Sequence, residues 1–250
     1  MKPLISIITV TYNAEKFIEK TICSILEQNY PDIEYIIIDG ASTDQTMEIV
    51  KKYKDQHIIW KSEPDNGLYD AMNKGLRLAT GDYVWFINAG DTLHSANTVE
   101  EMVESVPTKA MPDVIYGETA IVDEQGNHMA MRRLKTPSKL SWRSFKMGML
   151  VCHQSFIAKR TITPEFDLKY SYSSDYEWTI QCLKNAKTIH NSHVILSNFM
   201  EGGLSTTVRG DSLKERYLIM RFHYGIVTVT LLHVWFAVRF FFAKLIKGRV

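Results

Sequence analysis

The stretch Ile36-Ile37-Ile38-Asp39-Gly40-Ala41-Ser42-Thr43-Asp44 decides the fold, because an apolar run stops abruptly there on carboxylates and small residues. A second stretch, Phe86-Ile87-Asn88-Ala89-Gly90-Asp91, repeats that pattern further along the chain. Buried parallel strands have continuous apolar sequences, and in open α/β sheets ligands bind beyond the carboxyl ends of the strands. The two acidic strand ends therefore predict an α/β protein with a ligand site at that edge of the sheet.

Around these stretches, apolar runs alternate with amphipathic patterns, which indicates βαβ units and a Rossmann-type, mostly parallel sheet with flanking helices. The predicted strands are 5–11, 33–38, 57–61 and 83–87. Asn13 is the predicted cap of the first helix, and Ser42-x-x-Gln45 is a capping box that opens the second. The third predicted helix covers 69–79.

The pattern changes in the second half of the chain. The predicted elements there are a strand at 114–116, a turn at 123–127, an extended segment at 149–158, a helix at 175–183 capped by Ser174, and a helix opened by a capping box at Ser212 and Glu215. We expect a domain over 1–205, with a nucleotide-binding half at about 1–110 and an acceptor-binding half at 111–205. Residues 206–250 form a predicted helical tail.

Composition narrows the class of protein. The 250 residues are 45% hydrophobic and 23% charged, which is typical of a folded globular protein. The formal net charge of +1 gives no general attraction to nucleic acid, so we expect no such partner. The three cysteines are far apart and form neither a zinc motif nor a disulfide framework, which favours a reducing, cytoplasmic compartment.

The turn after the first strand excludes two common nucleotide folds. A dinucleotide-binding fold needs a G-x-G-x-x-G turn there, whereas this chain has Thr11-Tyr12-Asn13-Ala14-Glu15, without any glycine. A P-loop is also absent from the sequence. Dehydrogenases and P-loop NTPases therefore lose their main support.

The ordered motifs resemble those of family 2 glycosyltransferases with the GT-A fold. They are Val10-Thr11-Tyr12-Asn13, residues 38–44, Pro64-Asp65-Asn66-Gly67 and Asn88-Ala89-Gly90-Asp91. Residues 63–75 are also similar to a bacterial branch that builds surface polysaccharides, including colanic-acid-type fucosyl transferases. The resemblance implies that a sugar moves from a nucleoside-diphosphate sugar with inversion, with Mg²⁺ or Mn²⁺ as cofactor.

On the donor side, the resemblance assigns five residues to the nucleotide sugar: Thr11, Asn13, Asp39, Asp65 and Asn88. The family's D-x-D motif has Asn88 and Gly90 in place of its two acids here, so Asp91 is the remaining charged candidate for the metal. Carboxylate, carbonyl and water oxygens suit a hard cation, and the diphosphate would complete its shell. Turn formation is the alternative role for Asp39, Asp65 and the Asn88–Asp91 segment.

Two further donor-side groups have open roles. Asp44 either binds a ligand or favours a helix N-terminus. Lys74 either approaches a phosphate or pairs with Asp70 one helical turn away.

On the acceptor side, residues 173–177 resemble the family's E-D site, with Ser174 in place of the glutamate. The resemblance makes Asp175 the general base, although a carboxylate there also favours a helix N-terminus. His153 and Gln154 match a pair near the acceptor pocket, and the alternative is an ordinary hydrogen-bonded role. Residues 202–205 are either a loop that closes over the donor or a plain turn.

The tail carries a strongly apolar segment, 226–243, flanked by Arg221, Lys244 and Lys247. Its length is marginal for a membrane span, and Arg239 is costly inside a bilayer. An interfacial helix on the inner face of the cell membrane fits better, with a core helix, a dimer helix or a span as alternatives. A saccharide acceptor linked to a lipid would suit that location.

The sequence thus predicts a glycosyltransferase of surface polysaccharide or lipopolysaccharide synthesis. A sugar-phosphate nucleotidyltransferase is the first alternative, but it needs a glycine- and Lys/Arg-rich loop that residues 11–16 lack. A catalytically silent partner that binds nucleotide sugars is the second, since the metal motif is thinned.

Overall fold

The computed structural model describes residues 2–107, 111–202 and 209–247. The strands in this part of the chain are β1 (Ile5–Thr11), β2 (Ile33–Asp39), β3 (Ile59–Ser62), β4 (Tyr83–Phe86), β5 (Thr92–Leu93), β6 (Val114–Val122), β7 (His128–Met131), β8 (Phe156–Lys159) and β9 (Ile189–Met200). The helices are α1 (Ile18–Leu26), α2 (Thr46–Lys52), α3 (Leu68–Leu78), α4 (Thr98–Glu104), α5 (Ser174–Asn185), α6 (Arg209–Tyr224) and α7 (Ile226–Lys247). One sheet has the order β3-β2-β1-β4-β8-β6-β9-β5, and β7 pairs with β6.

The first four strands confirm the predicted parallel arrangement. β1 lies between β2 and β4, pairs in parallel with both, and is buried along its whole length. Thr11 is opposite Asp39 at the end of β1, and the Ala89 amide donates to the Val10 carbonyl. Both acidic strand ends therefore lie at one edge of the sheet, next to the end of β1.

The second half of the chain extends the same sheet. β8 pairs antiparallel with β4 on one side and with β6 on the other. Strands from both predicted halves of the chain therefore belong to one continuous sheet. The sequence did not predict β5 or the long β9. The division into two halves stays a prediction.

Helices cover both faces of the sheet and bury two apolar cores. On one face, α3 approaches closely at Gly75, where a side-chain carbon would collide with Ile8. The face that α3 presents to the core has Tyr69 and Met72 among its buried residues. The same core includes Trp178 of α5 and Ile219 of α6, so the C-terminal region begins as part of the fold.

The predicted caps of the first two helices are wrong, because their side chains stabilise the loop after β2. Asn13 accepts a hydrogen bond from the Thr43 amide, and α1 begins only at Ile18. The Ser42 hydroxyl donates to Asp39, and the chain enters α2 at Thr46 without a side-chain cap.

Three predictions in the second half are also wrong. Residues 149–158 are not all extended, because a 3₁₀ turn at His153–Ser155 precedes β8. Ser174 lies inside α5 and donates to the Asp167 carbonyl. Ser212 lies inside α6, and the Glu215 carboxylate accepts from backbone amides before α5.

The tail helix α7 has exposed apolar side chains. Val227, Leu231 and Val234 are 70%, 67% and 58% exposed. Among the described residues, no helix combines the length and hydropathy required to cross a bilayer.

Candidate active site

The end of β2 is fixed by the carboxylate of Asp39, which is fully buried. It accepts hydrogen bonds from the Ser42 amide at 3.0 Å and from the Ser62 hydroxyl at 2.6 Å. Its neighbour Thr11 is buried, and no hydrogen-bond partner for Thr11 Oγ1 is present within the described residues. Asp39 therefore holds Ser42 and Ser62 at the end of β2, while the hydroxyl of Thr11 is available for a hydrogen bond.

Two further predicted donor residues lie beside this strand end. Asn13 adopts a left-handed backbone with φ 48°, and its amide donates to Ser42 Oγ. The Asp65 carboxylate accepts from the Gly67 amide at 2.9 Å, as a turn residue does. It also lies directly against Gly40, where any side-chain carbon would collide with it. Asp65 therefore has the turn role and also lies beside the end of β2, while its contact with a donor stays a prediction.

Asp44 and Lys74 are held by protein groups. Asp44 accepts from the amides of Glu15 and Thr46. Lys74 donates to the Pro64 carbonyl at 2.7 Å and lies 3.6 Å from a carboxylate oxygen of Asp70, the predicted partner. These contacts favour the structural alternative for both residues.

Asn88 and Asp91 follow β4 in a tight turn closed by a 2.9 Å bond from the Asp91 amide to the Asn88 carbonyl. The Asp91 carboxylate accepts from Gln154 Nε2 at 2.7 Å and from the Met200 amide at 3.1 Å. Burial raises the pKa of Asp91 to about 6, against the opposing effect of these two donors. At pH 7 the group is mainly ionised, as a metal ligand must be.

The side-chain oxygen atoms at this turn fit a cation that is held chiefly by phosphates. Asn88 Oδ1 is buried and lacks a hydrogen-bond partner among the described residues, so it is an unused oxygen ligand. Asp91 supplies a second oxygen group. No cluster of three or more His, Cys, Asp or Glu side chains in the described ranges could hold a metal. The two oxygen groups of Asn88 and Asp91 are of the kind that Mg²⁺ or Mn²⁺ would use together with substrate phosphates and water.

Asp175 lies in the first turn of α5, with a side chain that is 14% exposed. Oδ1 accepts from the Tyr69 hydroxyl at 3.1 Å and from the Tyr176 amide at 2.8 Å. Burial alone would raise the pKa of this carboxyl, but the hydrogen bond from His153 and the charge of Arg216 outweigh it and hold the pKa below its usual value. Asp175 is therefore ionised at neutral pH.

His153 connects the two sides of the site. Its Nδ1 lies 3.4 Å from Asp175 Oδ2, and its Nε2 lies 3.3 Å from Asn88 Nδ2. The hydrogen bond from His153 to Asp175 is donated by Nδ1, the ring nitrogen that faces this carboxylate. Gln154, the next residue, contacts Asp91. Both predicted acceptor residues are thus bonded to protein groups of the site, and their contact with an acceptor stays a prediction.

The predicted residues lie at two neighbouring places. Asp91 and Asp175 are linked because Gln154 contacts Asp91 and the adjacent His153 contacts Asp175. Asp39 lies at the end of β2, which β1 separates from β4 in the same sheet. Of the predicted loop 202–205, residues 203–205 lie outside the described residues, and Gly202 is in a turn.

Sequence reasoning missed two residues at the site. In the sequence, Tyr69 was only the first residue of the third predicted helix, although its hydroxyl reaches Asp175. Arg216 comes from α6, outside the motifs that resemble the glycosyltransferase family, and its charge acts on Asp175. No sequence signal indicated either contact, because each depends on how the helices pack.

We expect His153→Gln to move the acid limb of the pH–rate profile to higher pH. In this variant Asp175 stays buried, which raises its pKa, but it loses His153, the residue that lowers this pKa most. The pKa of Asp175 therefore rises. Turnover measured against pH tests this, with His128→Gln as the control because His128 is exposed on β7. Superimposed profiles for the wild type and His153→Gln would contradict the assigned contact.

Comparison with known proteins gives the family. The model of Glycosyl transferase family 2 matches residues 6–163. A PGL/p-HBAD biosynthesis glycosyltransferase of Mycobacterium bovis is 30% identical over 93% of this chain and 91% of its own length. An uncharacterized glycosyltransferase of Haemophilus influenzae is 29% identical over 82% of each chain.

Solved structures share the fold. S. aureus TarS 1–349 in complex with UDP-GlcNAc matches with a TM-score of 0.69 at 21% identity, covering 88% of this chain. This chain spans 65% of that TarS chain. The mannosyltransferase PcManGT from Pyrobaculum calidifontis, in complex with GDP-Man and Mn²⁺, matches with a TM-score of 0.60 at 18% identity, over 93% of this chain and 69% of its own. At these identities the likeness supports the GT-A-like α/β fold.

Proposed function

The chain belongs to glycosyl transferase family 2 and is a glycosyltransferase, and from this premise we propose the reaction that it catalyses. It transfers a sugar, with inversion, from a nucleoside-diphosphate sugar to a hydroxyl of a lipid-linked saccharide. The product is a surface polysaccharide or lipopolysaccharide. The observation that carries this proposal is the buried, ionised Asp175, which His153 connects to the strand end bearing Asn88.

Asp175 acts as the general base. Its Oδ1 accepts two hydrogen bonds, from Tyr69 and Tyr176, whereas Oδ2 has the one contact with His153 Nδ1 at 3.4 Å. Oδ2 therefore has more capacity to take the proton of the acceptor hydroxyl as that hydroxyl attacks the anomeric carbon and the diphosphate leaves. His153 keeps Asp175 ionised and orients it. Inversion follows because a single displacement needs one base and no covalent intermediate on the enzyme.

Donor binding is assigned to the edge formed by Thr11, Asp39, Asp65 and Asn88. The unused Thr11 hydroxyl and the unused Asn88 oxygen support this assignment, since buried polar atoms normally have partners. Complexes of the two structural neighbours with nucleotide sugars, UDP-GlcNAc and GDP-Man, are further support. A bound Mg²⁺ or Mn²⁺, held by Asn88 and Asp91, would neutralise charge that develops on the departing diphosphate.

The experiment that tests the proposal is a donor panel. UDP-, GDP- and dTDP-linked sugars are each incubated with the protein and Mn²⁺, and nucleoside diphosphate release is measured with and without membrane extract as acceptor. We expect release from one donor class, increased by extract. Pyrophosphate release from a nucleoside triphosphate and a sugar phosphate would instead establish nucleotidyl transfer. Binding of a nucleotide sugar without any turnover would establish a silent binding partner.

The C-terminal helices support a peripheral position on the inner face of the cell membrane. Exposed apolar side chains continue from α6, with Phe222 72% exposed, onto Val227 and Leu231 of α7. The exposed basic residues Lys214 and Arg221 lie on α6 near this surface. An apolar face edged by basic groups suits an interface of anionic lipid. A lipid-linked acceptor would meet the enzyme there.

We expect the double variant Val227→Glu/Leu231→Glu to lose most of its binding to phosphatidylglycerol vesicles, because two charges would enter the apolar layer. Vesicle cosedimentation measures this, and Leu78→Glu is the control, since Leu78 is an exposed apolar residue of α3. The prediction would be wrong if the wild-type protein does not bind vesicles but forms a dimer, and if the double variant abolishes that dimer. This surface would then be the contact between two copies of the chain.

A further inference from the structure

Arg216 lies on α6, a helix that is tied directly to the loop before the predicted base. The neighbouring Glu215 accepts hydrogen bonds from the amides of Ser171 and Tyr172, at 2.8 and 2.9 Å. In the same contact, Ser212 lies 3.0 Å from Ser173, hydroxyl to hydroxyl. These bonds fix the position of Arg216 relative to the N-terminus of α5.

The guanidinium of Arg216 has an unused donor. Its Nε is buried and finds no hydrogen-bond partner in the part of the chain that the structure describes. Its Cζ lies 5.9 Å from the centroid of the buried Tyr176 ring, and its charge favours the ionised form of Asp175. Buried donors without partners are rare in folded proteins and call for an explanation.

Buried polar atoms without hydrogen-bond partners are concentrated at this site. The described residues contain four buried side-chain atoms without a hydrogen-bond partner, and three of them belong to Thr11, Asn88 and Arg216. The fourth, His223 Nε2, lies 3.3 Å from a carboxylate oxygen of Glu177. The first two lie on the donor edge, whereas Arg216 is on the other side of the site, with Asp175.

The direction of the reaction determines which substrate Arg216 faces. In a displacement with inversion, the attacking hydroxyl and the leaving diphosphate lie on opposite faces of the sugar. Asp175 must contact the attacking hydroxyl. Arg216 lies over the Tyr176 ring, next along the chain from Asp175, and its charge acts on Asp175, so this cation is on the acceptor side.

We propose that Arg216 binds a phosphate group of the acceptor, close to the hydroxyl that is glycosylated. This inference rests on the proposed function. The planar fork of arginine matches phosphate with two parallel hydrogen bonds, which would satisfy the unused Nε. The acceptor is then a phosphate-bearing lipid or lipid-linked sugar rather than a neutral saccharide.

The test uses farnesyl phosphate and farnesol, two probes that differ only in the phosphate. We expect farnesyl phosphate to bind wild-type protein in calorimetry and to inhibit its hydrolysis of the nucleotide sugar, and farnesol to do neither at the same concentration. Arg216→Ala should weaken farnesyl phosphate binding by about 10- to 100-fold, as loss of a charge-assisted hydrogen bond does. Its affinity for UDP or GDP should stay within about twofold.

The controls separate the possible outcomes. Arg77→Ala removes an exposed guanidinium of α3 that pairs with Glu165, and should change neither affinity. Arg216→Lys keeps the charge without the fork and should bind farnesyl phosphate with intermediate affinity, which covers the case of an unstable alanine variant. Unchanged farnesyl phosphate binding in both Arg216 variants would overturn the proposal, as would a loss confined to UDP and GDP.

The inference and the proposed function can fail separately. If wild-type protein hydrolyses no nucleotide sugar, the proposed function fails, while calorimetry still measures whether Arg216 binds the phosphate. If hydrolysis proceeds but is equally insensitive to both probes, the function stands and the inference on Arg216 fails.

Discussion

Asp175→Asn is expected to reduce turnover by roughly 10²- to 10⁴-fold, the usual contribution of a general base. The amide is nearly the same size as the carboxylate. Its oxygen can still accept from Tyr69 and Tyr176. Its NH₂ group then replaces Oδ2 beside His153 Nδ1, so thermal unfolding must be measured alongside the rates. Affinity for the donor nucleotide should change little, because Asp175 is on the acceptor side. Initial rates and nucleotide binding measured on the same preparation test both statements.

Glu177→Gln is the matched control for this change. Glu177 is a second buried carboxylate in the first turn of the same helix, but its side chain contacts Gln181 and His223. This variant loses the same charge near the same helix end and should keep wild-type turnover. Equal losses in both variants would show that helix electrostatics, rather than proton transfer, explains the effect of Asp175.

Removal of the metal is expected to reduce activity to background, and Mn²⁺ or Mg²⁺ should restore it. Asp91→Asn should raise the Mn²⁺ concentration needed for half-maximal activity by at least about 10- to 100-fold, the loss that even indirect ligand changes cause. The amide also places one NH₂ group against a donor, Gln154 or the Met200 amide, since both carboxylate oxygens accept. Thermal unfolding must therefore be measured alongside the metal titration.

Asp82→Asn is the control at the opposite end of β4. The Asp82 carboxylate precedes the strand and accepts from the Leu4 amide at 2.9 Å. Its replacement also removes a charge and alters a backbone hydrogen bond, but it should leave the metal titration unchanged. A metal requirement that is identical in wild type and Asp91→Asn would exclude Asp91 as a ligand.

The strand ends were predictable because local sequence carries their signal. The apolar runs before Asp39 and Asn88 had to be buried parallel strands, and such strands end at a common edge. The register of β1 with β2 confirms this geometry. The order of the motifs likewise indicated the family that the comparisons show.

The rest depended on contacts between distant segments. Polar side chains at Asn13 and Ser42 have the composition of helix caps, but the loop after β2 competes for them and binds them. Packing of the 3₁₀ turn brings His153 to Asp175 and Gln154 to Asp91, two contacts that the sequence did not indicate, while their contact with an acceptor stays a prediction. Arg216 has no local signal, since α6 reaches the site only through tertiary packing.

The most direct test of the central claim is a crystal structure with Mn²⁺ and the nucleoside diphosphate, UDP or GDP, that the donor panel selects. We predict that the base and ribose lie against Thr11 and Asp39, with the anomalous signal of the ion next to Asn88 and Asp91. Asp175 should face the same cavity without touching the nucleotide. A nucleotide bound elsewhere on the protein, or an ion separated from the end of β4, would contradict the account.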